Sequence, residues 1–219
     1  MEQRVTVHRA RLGADEYRVV RPYRPAPRLA VRAGPDFVSV YADREGAAQL
    51  LALWALAARS ARSLIHLPVR GNPPPDDPAV AEEPDAMDLV LVHHSLQFPT
   101  GSWKRLRSRL GPGALRTSAT PDDDFPAEAE LDFARRDFRE YRDHLGFAVA
   151  AHTFFVVGSA RAFRQHAAEL RGLLAEAPSY LHHHPHGHFC LEFTSGPWAA
   201  PRNRPRVPGL LHVQFCDTW

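Results

Sequence analysis

Two stretches of this chain carry the same pattern 116 positions apart, so that residues 38–71 align on residues 154–187 without a gap. Val40 falls on Val156, Gln49 on Gln165, Ser63 on Ser179, His66 on His182 and Gly71 on Gly187. The identities are few, and the shared phase says more. In the first stretch Ala47, Leu51, Trp54 and Ala58 make one apolar face at helical spacing. The shifted positions are Phe163, Ala167, Leu170 and Leu174, again apolar. A helix repeats every 3.6 residues, so stripes in one phase mean two helices presenting equivalent faces to a core. Apolar, strand-like runs at 37–41 and 147–157 precede them, and Asp43 and Ser159 stand where a capping side chain is needed. The pattern predicts two similar strand–helix–strand pieces, 38–67 and 154–183, with Leu51, Trp54, Leu170 and Leu174 in the core.

The rest of the chain fits around these pieces. Val5 and Val7 alternate with polar neighbours and read as a short strand, and 17–20 reads as another. Residues 21–28 hold three prolines and read as a loop or extended edge. Strands are expected at 63–69 and 89–93, separated by a polar loop at 71–84 that holds five prolines. In the middle, 103–110 reads as a short basic helix and 120–126 as an acidic turn. Leu131, Ala134, Phe138, Tyr141 and Leu145 recur at three- and four-residue spacing, which predicts an amphipathic helix over 130–145 ended by Gly146. Pro178 is expected to stop the second repeated helix. Strands follow at 188–193 and 210–215, with a Pro/Arg loop at 197–208 between them. The fold class is α+β: two similar strand–helix–strand–strand units with helices packed on a mixed or antiparallel sheet. The division is 1–100 for the first unit with its N-terminal strands, 101–146 for a helical insert, and 147–219 for the second unit.

Composition narrows the function classes. The 219 residues are 44% hydrophobic and 24% charged, enough for a sizeable core. A formal charge of +2 gives no overall electrostatic footprint for nucleic acid or an anionic membrane. No uncharged apolar run reaches the roughly 18 residues a membrane span needs. Residues 1–11 lack an apolar signal core, so the expected location is cytoplasmic. There Cys190 and Cys216 would stay reduced. Lys104 is the sole lysine among 27 basic residues, a bias that fits a GC-rich coding sequence as in actinobacteria.

No motif specific to one reaction is found. The densest candidate is His182, His183, His184, His186 and His188, followed by Cys190 and Glu192. Imidazole and thiolate are the natural ligands of Zn, Ni and Cu. Alternating strand positions share a face, so His184, His186, His188 and Cys190 are the candidate metal ligands, with His212 or Cys216 able to complete the set. Pro185 and Gly187 argue instead for a turn, and a loop-borne tract binds metal only loosely. No cofactor is otherwise expected. Ser95, His66 and Asp88 supply the residue types of a hydrolytic triad without a nucleophile elbow. Cys190 between His188 and Glu192 is raw material for a thiol nucleophile, or a buried inert thiol. The aromatic and basic residues at 103–109 suit nucleic acid, but Asp122, Asp123, Asp124 and Glu128 lie close downstream and can neutralise a solvated basic face. Nucleic acid and membrane are therefore not the expected partners.

The segment VYADREGAAQLLALWALA, the later SLIHL and the following DLVLV resemble immunity-type proteins of actinobacterial polymorphic toxin systems. The matching residues are Asp43, Glu45, Gly46, Leu50, Leu53 and His66. The second half keeps only the outline, Ser159, Phe163, Leu170 and His182, without the Glu–Gly pair, and 103–145 has no counterpart. The resemblance implies a compact, non-enzymatic binding module that neutralises a partner protein such as a toxin domain. The alternative expectation is a metal-binding protein or metal-dependent enzyme using the His182–Cys190 region.

Overall fold

The computed structural model describes residues 1–77, 80, 82–126, 130–196 and 208–219. The loop read at 197–208 lies outside the described residues except for Pro208, and so does Glu128. Twelve strands and three α-helices are described, in an α+β arrangement with two mixed sheets. The strands are β1 (Glu2–Leu12), β2 (Asp15–Pro22), β3 (Leu29–Ala33), β4 (Phe37–Ala42), β5 (Ser63–Leu67), β6 (Asp85–Ala86), β7 (Asp88–His93), β8 (Ala114–Ala119), β9 (Gly146–Val149), β10 (Thr153–Gly158), β11 (Cys190–Thr194) and β12 (Leu210–Phe215). The helices are α1 (Arg44–Arg59), α2 (Trp103–Arg107) and α3 (Ala160–His183). The larger sheet runs β8-β1-β2-β5-β7-β10-β9 and the smaller one β11-β12-β4-β3-β6.

The internal echo has a topological meaning. Hairpin β3–β4 leads through α1 to the antiparallel pair β5–β7. Hairpin β9–β10 leads through α3 to the antiparallel pair β11–β12. Each unit sends its hairpin into one sheet and its returning pair into the other. β10 joins β7 in parallel in the large sheet, and β12 joins β4 in parallel in the small one. The order β5-β7-β10-β9 thus matches β11-β12-β4-β3 with the units exchanged. Neither sheet is complete without strands from both halves.

Local chemistry explains both helix starts. The Asp43 carboxylate accepts from the Gly46 amide at 2.8 Å, and the Ser159 hydroxyl accepts from the Ala162 amide at 3.0 Å. Gly46 is also a packing requirement, because a Cβ there would lie 2.5 Å from the Arg28 carbonyl oxygen. The paired glutamines of the echo do similar work. Gln49 accepts from the Ala26 amide and donates to the Arg24 carbonyl, at 2.8 and 2.9 Å, while Gln165 accepts from the Tyr141 hydroxyl at 2.6 Å. Each pins the preceding segment to its helix.

One core joins the inner faces of both sheets to α1 and α3. Leu51, Trp54 and Leu170 are buried in it, and Leu174 packs half-buried at its margin. A second cluster lies on the other face of the large sheet, where α2 covers it with Trp103 and Leu106.

Three local expectations are corrected. Residues 179–183 are helical, not a strand, and α3 runs through Pro178. Proline there forfeits one backbone bond. Ala177 and Leu181 continue the buried stripe of Leu170 and Leu173, so core packing outweighs that loss. The helix expected over 130–145 is instead a short 3₁₀ turn at Ala134–Asp137 followed by irregular chain. Its apolar residues serve different surroundings: Tyr141 and Leu145 are buried, whereas Phe138 is 59% exposed. Anchors to α3 take the place of helical packing, through Tyr141 to Gln165 and Arg136 to Glu169 at 2.6 Å each. The run at 147–157 is not one strand but the β9–β10 hairpin, turned at Ala151 and His152 with φ of 51° and 56°. Of the acids expected to neutralise the basic helix, Asp124 is held elsewhere. Asp124 pairs with Arg59 at 2.9 Å and Arg164 at 3.6 Å, while Arg107 of α2 pairs with Asp88 at 2.9 Å. Among the described residues no helix is long and apolar enough to cross a membrane.

Candidate functional site

Strand alternation sorts the β11–β12 hairpin into two faces. Phe193, Leu211, Val213 and Phe215 point into the main core. Cys190, Glu192, His212 and Gln214 take the opposite face, with Glu192 opposite His212 and Cys190 opposite Gln214. The parallel pairing with β4 sets Ser39 beside His212 and Tyr41 beside Gln214.

The histidine tract divides at this point. His182 and His183 end α3, His184 is its C-terminal cap, and His186 sits in the following turn, all exposed. The strand begins only at Cys190, so His184 and His186 do not converge with it. Of the four expected ligands, His188 and Cys190 come together, and the third donor is His212, 24 residues after His188. One ligand atom from each lies within 4.8 Å of the others. His188 Nε2 is 3.1 Å from His212 Nε2, and the two rings stack at 5.1 Å with an interplanar angle of 3°. The alternative completion, Cys216, is buried with Tyr41 and Val80 and is not in the cluster. Burial pushes the Cys190 thiol upward, and the Glu192 carboxylate adds to this. An unmetallated Cys190 is thus a protonated thiol and a poor nucleophile. Burial lowers the His212 imidazole, helped by His188, so its neutral form is favoured.

Other candidates resolve into supporting structure. His66 Nε2 lies 3.4 Å from Asp88 Oδ2, as a triad would ask. Ser95, however, is held 2.8 Å from His93 Nδ1 instead. His66 Nδ1 accepts from Arg21 at 2.9 Å, and Asp88 is held by Arg107 and the Arg70 amide. This is a buried ionic network beneath α2, and its histidine is held below the usual range by burial.

Beside β11 lies a cleft of about 310 Å³ lined by Arg136, Tyr141, His144, His166 and Glu192 among others. Nothing in the sequence singled out His166, whose face on α3 is shared with apolar residues. It is buried, its Nδ1 lies 2.8 Å from the Ala162 carbonyl, and burial, with Arg136 adding, lowers its pKa to about 4. The unfolded chain, with an imidazole near 6.5, takes the proton more readily. Stability from this group is therefore complete above pH about 6.5 and is lost as pH falls toward 4, on the order of 3 kcal/mol in all. His66 contributes with the same sign. Urea unfolding at pH 7 and 4.5 is expected to show a clear drop in midpoint, shallower in His166→Leu. An unchanged slope in that variant would contradict the assignment.

Fold and cluster together define a two-sheet α+β protein with a His–Cys–His donor set on the face of its smaller sheet that points away from the main core. Comparison with protein-family models, curated proteins and solved structures gives no match.

Proposed function

We propose that this chain is a transition-metal-binding protein with His188, Cys190 and His212 as ligands. The carrying observation is the convergence of three donors from one hairpin, with the two imidazole nitrogens 3.1 Å apart. A tetrahedral zinc ion with Zn–N of about 2.0–2.1 Å and Zn–S of about 2.3 Å sets its donors roughly 3.3–3.6 Å apart; here the imidazole nitrogens are 3.1 Å apart and all three donors lie within 4.8 Å, so side-chain rotation would complete the set. Three protein ligands leave a fourth position for water or another small ligand, the pattern of open zinc sites. Ligand variants test the reading. His212→Ala and Cys190→Ala are expected to abolish tight zinc binding, whereas His184→Ala and His186→Ala leave it unchanged. Equal, modest losses across all four would mean a loose tract and not a site.

A second reading rests on Phe133 and Phe138, 42% and 59% exposed on the segment between β8 and β9. Exposed aromatic side chains are common anchors of protein interfaces. They support an immunity-like module that works in the cytosol by holding a partner protein. Immobilised wild-type chain is expected to retrieve a protein from an actinobacterial lysate that Phe138→Glu does not; equal retrieval by both counts against it.

A further inference from the structure

We infer that Ser39 and Glu83 form a buried positioning relay that fixes the ring of His212 with Nε2 free for a metal ion. The inference rests on the metal-binding reading above. Ser39, Tyr41 and Glu83 are all buried. The Ser39 hydroxyl donates to Glu83 Oε1 at 2.9 Å, and the Tyr41 hydroxyl donates to the same oxygen at 3.0 Å. His212 Nδ1 stands 3.5 Å from Ser39 Oγ, a polar contact longer than the usual N–H···O distance of about 2.7–3.2 Å.

Proton bookkeeping along this chain gives it a direction. A hydroxyl has one proton. Ser39 spends it on the carboxyl oxygen, so toward His212 it offers only lone pairs. The partner that suits a lone pair is an N–H, which puts the imidazole proton on Nδ1 and leaves Nε2 bare. That bare nitrogen is the one facing His188 Nε2 and belonging to the donor cluster. The sheet makes the arrangement available, since His212 and Gln214 are register partners of Ser39 and Tyr41. Metal-bound histidines characteristically have the second nitrogen fixed in this way.

The cost of the relay supports a purpose. Glu83 is 3% exposed, and its Oε2 has no hydrogen-bond partner among the described residues. Burial raises the Glu83 carboxyl pKa, and the hydrogen bonds from Ser39 and Tyr41, with Arg32 across the strand pair, pull the other way. Bridging two hydroxyls from a buried carboxyl is an expensive way to pin a loop, because such a group forfeits hydration. Orienting a ligand gives that burial a function.

The test combines zinc affinity of the full untagged chain, by competition with a chromophoric chelator, with the His212 tautomer read from imidazole ¹⁵N shifts of the zinc-free protein. Ser39→Ala is expected to weaken zinc about 10–100-fold and to let the His212 proton redistribute between Nδ1 and Nε2. Glu83→Leu is expected to do the same. Glu83→Gln keeps a carbonyl oxygen for both hydroxyls and is expected to stay close to wild type, and the Gln/Leu contrast decides the matter should Ser39→Ala fail to fold. Wild-type affinity in Ser39→Ala with the proton still on Nδ1 would overturn the relay. If the wild-type chain binds no zinc, the metal reading fails, and the tautomer alone then decides the relay: a His212 proton on Nδ1 upholds it, and one on Nε2 overturns it.

Discussion

Replacing Trp54 with alanine is expected to destabilise the chain by about 3–5 kcal/mol, the usual cost of truncating a large aromatic in a closed core. Trp54 is fully buried on α1. It meets Phe163 of α3 edge-on, with centroids 5.6 Å apart and planes at 78°, and Phe193 of β11 at 5.6 Å and 49°. Its indole nitrogen is buried without a hydrogen-bond partner among the described residues, so the residue is there for its ring. Because α1 and α3 belong to different halves and Phe193 to the small sheet, the cavity opens where the exchanged units meet. Urea denaturation of the variant at neutral pH measures the loss. A change below about 1 kcal/mol would mean that the two helices do not depend on this contact.

Zinc is expected to raise the stability of the wild-type chain and to leave Cys190→Ala unmoved. A ligand that binds only the folded state at a hundred times its dissociation constant adds about 2.7 kcal/mol. The donors of the cluster come from the entry to β11 and from β12, and these are brought together only by pairing in the folded sheet. The unfolded chain therefore has no equivalent site. Thermal melts with and without zinc, in the presence of enough weak chelator to buffer adventitious ion, measure the shift. Acid should erase it as protonation of the imidazole ligands competes with the metal. A shift of equal size in wild type and Cys190→Ala would assign the effect to the exposed His182–His186 stretch.

The parts of this molecule legible in the sequence are those fixed by local rules. The α1 stripe and its Asp43 cap, and the Ser159 cap of α3, follow from helical period and from the need to satisfy the first amides. The shared phase of Leu51 and Ala167, or Trp54 and Leu170, located two helices that face one core. Local rules misled where tertiary contact decides. Pro178 reads as a stop, yet Ala177 and Leu181 carry α3 past it. The spacing of Leu131 to Leu145 imitates a helix, yet Tyr141 and Arg136 are held by α3 and Phe138 points outward. Exchange of strands between the sheets leaves no local trace, because a strand's neighbour in another half is chosen by packing and not by adjacent residues. The candidate site shows the same divide. His188 and Cys190 were visible as ligand types on one stretch, while His184 and His186 drop out because the strand starts later than alternation allows. His212 stood out only as a histidine on a distant strand, and the β11–β12 register makes it the third donor. Glu83 gave no signal at all, being one acid among several in a proline-rich loop.

The most direct measurement is the metal content of untagged chain after exhaustive dialysis, by elemental analysis. The account predicts about one equivalent of Zn, Ni or Cu per chain, lost in His212→Ala and retained in the His184→Ala, His186→Ala double variant. Substoichiometric metal in the wild type, or a double variant as depleted as His212→Ala, would contradict it.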